Sequence, residues 1–161
     1  MSVYVGLDVS LEETHYCVTD QNGKRLKEGK TVTDPAAVAD ALASIGTDLK
    51  RVGLEASSVG AWLANELKSM NYPAIVVEAR HMRTALKTQR NKTDRNDARG
   101  IAEMMRLGWY RAVYVKSPES QRLRMLLANR RLLKRKLIDI ENHIRGSLRA
   151  FGLFMGQRLA R

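Results

Sequence analysis

The sequence predicts an α/β fold: a mixed five-stranded sheet with flanking helices over residues 1–116, followed by a basic, coiled-coil-like helical arm over residues 117–161. Three observations carry that prediction. Short runs of branched and aromatic residues, closed by turn residues, alternate with stretches of helical periodicity, the pattern of a sheet covered by helices. Three of those runs end on an acid, namely Asp8, Glu55 and Glu78. From residue 118 onward the apolar residues fall at heptad spacing.

Residues 3–9 (VYVGLDV) form a nearly continuous apolar run, as a central strand does, with Asp8 near its end. Residues 14–19 and 25–33 read as two further strands, and Asp20-Gln21-Asn22-Gly23 between them supplies the Asn-Gly hairpin signal. Asp34 is the N-cap and Pro35 the first position of a helix that runs through Val38, Leu42 and Ile45 to about Gly46. Residues 51–55 are a short fourth strand ending on Glu55. Residues 57–60 loop into a helix over about 61–70, and residues 72–77 are a fifth strand ending at Glu78. Residues 109–115 (WYRAVYV) have a strand's composition and are expected to serve as core rather than as a platform for stacked bases. Ser117-Pro118-Glu119 then opens the long helix.

The chain of 161 residues, 44% hydrophobic, is long enough for one domain with a real core and an appendage. It contains no apolar run near the ~20 residues of a membrane span and no signal-peptide pattern at its start, so a cytoplasmic, nucleoid-associated protein with no membrane partner is expected. The single cysteine, Cys17, has no intrachain disulfide partner and lies in an apolar run, which favours buried packing over catalysis. The net charge of +11 is unevenly placed: residues 1–79 hold 7 Lys and Arg against 11 Asp and Glu, whereas residues 80–161 hold 21 against 6. Those balances, −4 and +15, mark the second half as the surface for a polyanion, DNA or RNA ahead of an anionic membrane.

The segment Lys92-Thr93-Asp94-Arg95-Asn96-Asp97-Ala98 stands where chemistry is most concentrated. Thr93 can cap a helix whose first turn puts Asp94 and Asp97, three residues apart, on one face. Two readings are open from these residues alone: a divalent-cation site beside cations that hold an anionic substrate, or two acids complementing the positive end of a helix. The strand-end acids bear on the choice, because ligands of open α/β sheets bind beyond the carboxyl ends of the strands. Asp8 and Glu55 follow directly on apolar runs, whereas Glu78 adjoins the basic segment, where an ion pair would account for it.

A three-strand meander, then helix, strand, helix, strand and a helix bearing an acid pair, matches the ribonuclease H-like order of elements. With Gly6-Leu7-Asp8-Val9-Ser10, Gly53-Leu54-Glu55-Ala56-Ser57 and the segment at 92–98 in that order, the sequence closely resembles the N-terminal half of the DEDD transposases of bacterial insertion sequences, the insertion sequence 110 type that includes Piv-type DNA invertases. The resemblance spans residues 1–155 and implies a RuvC-like domain. It also implies that Asp8, Glu55, Asp94 and Asp97 are the catalytic, metal-binding carboxylates, with Mg²⁺ as the ion and Mn²⁺ as a substitute. Full-length relatives continue into a domain bearing a serine nucleophile, and this chain is read as stopping before it; Ser10, Ser57 and Ser58 are expected to be loop or capping residues and not replacements for that serine.

Ahead of the acid pair, Arg80, Arg83, Lys87, Arg90 and Lys92 recur at helical spacing and, with Arg95 and Arg99, are the expected nucleic-acid contacts. In the arm, Leu123, Arg130, Leu137, Ile144 and Phe151 take heptad position a, and Leu126, Leu133, Ile140 and Ser147 position d. Two polar residues among nine leave a faulted coiled coil or a helix packed on another element. Leu123, Leu126, Leu133, Leu137, Ile140 and Ile144 are the expected self-association seam, making a homo-oligomer. The expected function is the catalytic-metal half of a site-specific DNA recombinase, with DNA and, by resemblance, a structured guide RNA as partners. A stand-alone Holliday-junction-type nuclease and an inactive nucleic-acid-binding assembly module are the alternatives.

Overall fold

Alternation along β1 (Ser2–Val9) decides how the first part of the chain is built: Val3, Val5 and Leu7 are fully buried on one face, while Tyr4, Gly6 and Asp8 point to the other. The computed structural model describes residues 2–46, 48–78 and 93–154, and the chain divides into two compact units, 1–115 and 116–161. In the first unit β1 is the middle of a five-stranded sheet of order β3-β2-β1-β4-β5. β2 (Glu13–Asp20) and β3 (Arg25–Val32) complete an antiparallel meander on one side, and β4 (Asp48–Glu55) and β5 (Ala74–Val77) pair in parallel on the other.

The sequence signals act locally as their chemistry requires. At the β2–β3 turn the Asp20 carboxylate accepts from the backbone N–H of Asn22 at 2.9 Å and of Lys24 at 2.8 Å, and Gly23 takes φ +83°, which a side chain would oppose. Asp34 caps α1 (Pro35–Ala43) by accepting from the Ala37 N–H at 3.0 Å. α2 (Ser58–Ser69) starts three residues ahead of the expected position because the Ser57 hydroxyl accepts from the Gly60 N–H at 2.9 Å. Ser10 closes a turn by donating to the Glu13 carbonyl at 2.7 Å. Both serines are therefore structural.

Val38 and Leu42 of α1 and Leu63 and Leu67 of α2 cover the face that carries Val3, Val5, Leu7, Val52, Leu54 and Val76. Each such side chain contributes roughly 1.5–3 kcal/mol of burial. The opposite face is covered by α3 (Asp94–Leu107), whose Ala98, Ile101, Ala102 and Met105 are buried. Pairing aligns Glu28, Cys17, Gly6, Gly53 and Ile75 in one row across all five strands on that face. The three small residues in the middle of the row form a trough. A Cβ on Gly6 would stand 2.1 Å from the Ala98 carbonyl oxygen and 2.3 Å from the Ala102 nitrogen, so the helix backbone rests directly on the strand. Cys17 is buried against Ala98 and Ala102, as expected, and burial pushes its thiol pKa up.

Residues 109–115 depart from expectation. They make no full strand: Val77 and Ala112 form a single antiparallel bridge, extended by hydrogen bonds from the Val113 N–H to the Val76 carbonyl and from the Glu78 N–H to the Arg111 carbonyl. Trp109 and Tyr114 are exposed rather than core, because only one edge of this segment meets the sheet; Tyr110 and Val115 alone pack inward.

The second unit is α4 (Pro118–Arg149), 32 residues and about 48 Å long, capped by Ser117. None of its side chains is buried. It ends where Gly152 takes φ +70° and the Leu153 N–H donates back to the Leu148 carbonyl at 3.0 Å. No described helix is long and apolar enough to cross a membrane.

Candidate metal centre

Asp8 and Glu55 occupy equivalent places on adjacent parallel strands. The β1–β4 register pairs Gly6 with Gly53 and Leu7 with Leu54, so the next residue on each strand is an acid, and strand neighbours lie ~4.8 Å apart. Alternation gives both carboxylates the face of Gly6 and Gly53, the face that α3 covers. Both are half-buried.

The helix delivers the second pair. Ala98, Ile101, Ala102 and Met105 lie on the sheet at spacings of three and four, and the same stripe extended one turn toward the N-terminus reaches Asp94 and Asp97. Met105 and Ile101 lie over Gly53, and Ala98 and Ala102 over Gly6. The Met105 carbonyl accepts from Arg51 Nη1 at 2.7 Å, four residues before Glu55. The helix therefore runs toward its N-terminus as β1 and β4 run toward their C-termini. Its first turn comes to the sheet end that bears Asp8 and Glu55. Thr93 fixes that turn by accepting from the Asn96 N–H at 3.3 Å. Asp94 is exposed and Asp97 half-buried.

Glu28 on β3 holds the same turn from the side. Its carboxylate accepts from Arg99 Nε at 2.8 Å and Arg99 Nη2 at 3.0 Å, and also pairs with Arg95. The guanidiniums of Arg99 and then Arg95 pull the Glu28 pKa down to about 2. The sequence reading missed Glu28, whose partners lie 67 and 71 residues along the chain. Its alternation with Lys30 along β3 was the available signal. Arg95 and Arg99, expected to meet nucleic acid, are thus also part of the fold's own ion-pair network. Glu78 meets Arg111 at 3.5 Å, the ion pair anticipated for it. Arg80, Arg83, Lys87, Arg90 and Lys92 lie outside the described residues.

The backbone brings all four predicted acids to one end of one sheet face. Among the described residues, no group of three or more His, Cys, Asp or Glu side chains stands arranged to hold a metal ion. The donor set nevertheless fits a hard divalent cation in kind, being all carboxylate, with two strand ends and one helix turn brought to the same end of the sheet.

The transposase family model for the insertion sequence 110 DEDD group matches residues 5–152. The chain belongs to that family. A curated relative in this family, the transposase of insertion sequence element IS1111A from Coxiella burnetii, is 28% identical over 158 residues, which is 95% of this chain and 40% of that protein. The chain therefore spans about two fifths of the length of that relative. Among solved structures, Thermus thermophilus RuvC in complex with a Holliday junction substrate superposes with a TM-score of 0.52 at 14% identity, covering 70% of this chain and all of that one. A second Thermus thermophilus RuvC structure gives 0.50 at 15% identity over 69% and 99%. The first unit thus has the RuvC-like, ribonuclease H-like fold.

Proposed function

We propose that this chain is the metal-binding half of a DNA transposase, in which Asp8, Glu55, Asp94 and Asp97 hold Mg²⁺, or Mn²⁺ in its place, at a scissile DNA phosphate. The observation that supports it most is the coincidence of two independent alignments: the β1–β4 register sets Asp8 beside Glu55, and the buried stripe of α3 leads to Asp94 and Asp97 at the same sheet end. A bound divalent cation would supply charge neutralisation and polarisation at the phosphate. The carboxylates bind and orient it. The trough of Gly6 and Gly53 sets the depth of the helix, and the Glu28 pairs with Arg95 and Arg99 fix its lateral position. Strand exchange belongs to the full-length protein, through a serine-bearing domain in another part of it, with a structured guide RNA and a homo-oligomer formed through the arm.

The test is metal-linked stability. Ligand binding to the native state alone adds ~2.7 kcal/mol at a hundredfold excess over Kd, so millimolar Mg²⁺ or Mn²⁺ raises the melting temperature of the parent chain. Asp8→Asn and Asp94→Asn each remove most of that rise. Melting curves of the parent that ignore both ions would sink the metal reading. The likeness to RuvC favours one second reading, a junction nuclease complete in this chain, which Mg²⁺-dependent cleavage of a four-way junction by the chain alone would establish. Folded, DNA-binding protein without metal response or cleavage would leave the inactive assembly module.

A further inference from the structure

We propose that a furrow between β3 and α3 carries a single strand of DNA to the Asp8 end of the sheet, its phosphates held by Arg25 at one end and Lys30 at the other. This rests on the DNA-acting reading above and adds a binding surface to it, with both end cations on the half of the chain whose overall charge is negative.

Two open hollows make up the furrow. One, of about 460 Å³, is lined by Arg25, Lys27, Glu28, Arg95 and Arg99 together with Leu26. The other, of about 200 Å³, is lined by His15, Glu28, Gly29, Lys30 and Arg95. They share Glu28 and Arg95 and so adjoin at the ion pair those two side chains make, which a strand would cross. Because β1–β2 and β2–β3 are both antiparallel, β3 runs in the same direction as β1. The furrow therefore climbs from Arg25 to Lys30 toward the carboxyl end of β1, five residue steps or about 17 Å. The upper end is level with the acids: Lys30 pairs with His15 and His15 with Asp8 across the strands. Lys30 is two strands from Asp8, ~10 Å at the usual strand spacing, which suits a phosphate neighbouring the scissile one rather than the scissile one itself.

The charge available to a phosphate follows from which pairs are exchangeable. Glu28 is committed to Arg99 through two hydrogen bonds, so its negative charge is neutralised where it stands. Lys30 is different: it meets the Glu13 carboxylate at 2.9 Å with side chains 59% and 47% exposed. Exposed pairs of this kind contribute little to stability and yield to a phosphate brought by a bound strand. Arg25 is exposed at the other end. Its presence with Lys30 leaves the furrow net positive.

The test is salt-dependent binding of a fluorescein-labelled DNA single strand to the full chain, read by anisotropy. For single strands each neutralised phosphate adds ~0.7 to the log–log salt slope, so the double variant Arg25→Ala with Lys30→Ala loses ~1.4 from the slope and roughly 25-fold in affinity at 0.1 M salt. Arg25→Lys with Lys30→Arg keeps the parent's slope. Glu13→Gln, which releases Lys30, tightens binding. Should the alanine pair fail to fold by circular dichroism, Arg25→Gln with Lys30→Gln takes its place. Unchanged slope and affinity in a folded double variant overturn the furrow while leaving the DNA reading intact, since the parent still binds. A slope lost on the matching RNA but kept on DNA also overturns it, the occupant then being RNA. A parent chain with no salt-dependent affinity for either strand overturns both readings.

Discussion

The carbonyl oxygen of Ala98 lies 2.1 Å from where a Cβ on Gly6 would stand, so the helix that brings Asp94 and Asp97 is seated directly on the strand that brings Asp8. Backbone lies on both sides of that contact, and no flexible side chain can give way. Gly6→Ala must lift α3. Overpacking of this kind costs ~1–3 kcal/mol, and the upper end is expected because helix backbone is what moves. Gly53→Ala should be milder, since its Cβ would meet Met105 Cγ at 2.7 Å and Ile101 Cγ2 at 2.8 Å, and a methionine side chain adapts. Thermal melts of both variants, with and without Mg²⁺, check the order. If Gly6→Ala melts with the parent and keeps its Mg²⁺ response, the seat of α3 does not position the acids.

Glu28 links pH to the same helix. Its folded pKa, about 2, is below the ordinary 4.5, so folding is favoured by its ionised form. That contribution is fully present above pH ~4.5 and is lost as pH falls toward 2. Glu13, Asp48 and Glu103 are shifted in the same direction by Lys30, Lys50 and Arg106, so acid destabilisation is a shared property and only a difference isolates Glu28. Glu28→Gln is expected to lower stability at pH 7 by up to ~1 kcal/mol, the range of an accessible ion pair, and to converge on the parent near pH 2. A constant gap between the two denaturation curves from pH 7 to pH 2 would assign the loss to packing instead.

Legibility in the sequence followed the range of the interaction. The hairpin turn was readable because Asp20 acts on N–H groups two and four residues away, and the starts of α1, α3 and α4 because Asp34, Thr93 and Ser117 each accept from an N–H three residues on. The sheet end of Asp8 and Glu55 was readable because apolar runs stop there. Two things were hidden. A charge count cannot tell a cation awaiting a phosphate from one already held, so Arg95 and Arg99 were read without Glu28. Composition likewise cannot tell a strand inside a sheet from a segment touching its edge, and residues 109–115 joined β5 by one bridge only.

Gly146 is the counterexample to the buried glycines. It lies within α4 with nothing inside 4 Å of a Cβ, so no packing asks for glycine there. Gly146→Ala should stabilise the helix by ~0.5–1 kcal/mol through the smaller entropy of its unfolded chain. It falls at heptad position c, outside the a and d positions of the seam, so association through that seam should not change. Urea unfolding followed at 222 nm reads the first effect and sedimentation the second. A destabilised or dissociated variant would place a partner against that face.

The arm's apolar stripe is the last feature that asks for a partner. Leu123, Leu126, Leu133, Leu137, Ile140 and Ile144 are all between 44% and 68% exposed on α4. Met125, Leu127, Leu132 and Ile138, off the seam, are exposed as well. Apolar area of this extent on one helix marks an interaction surface, and pairing would contribute ~25 cal/mol for each Å² covered. Arg130 sits at an a position within it and must extend its guanidinium to the edge or meet an acid of the other helix. Asp139 is already engaged by Lys136 at 4.0 Å, a distance that an exposed pair readily gives up. Leu133→Asp with Ile140→Asp is expected to convert an oligomeric chain to monomers, since two desolvated carboxylates cost more than the seam between them returns. The first unit, which holds the whole sheet, should keep its melting transition and its Mg²⁺ response in that variant. Sedimentation of the unaltered chain as a monomer at high micromolar concentration would show that the stripe is not a surface for a second copy.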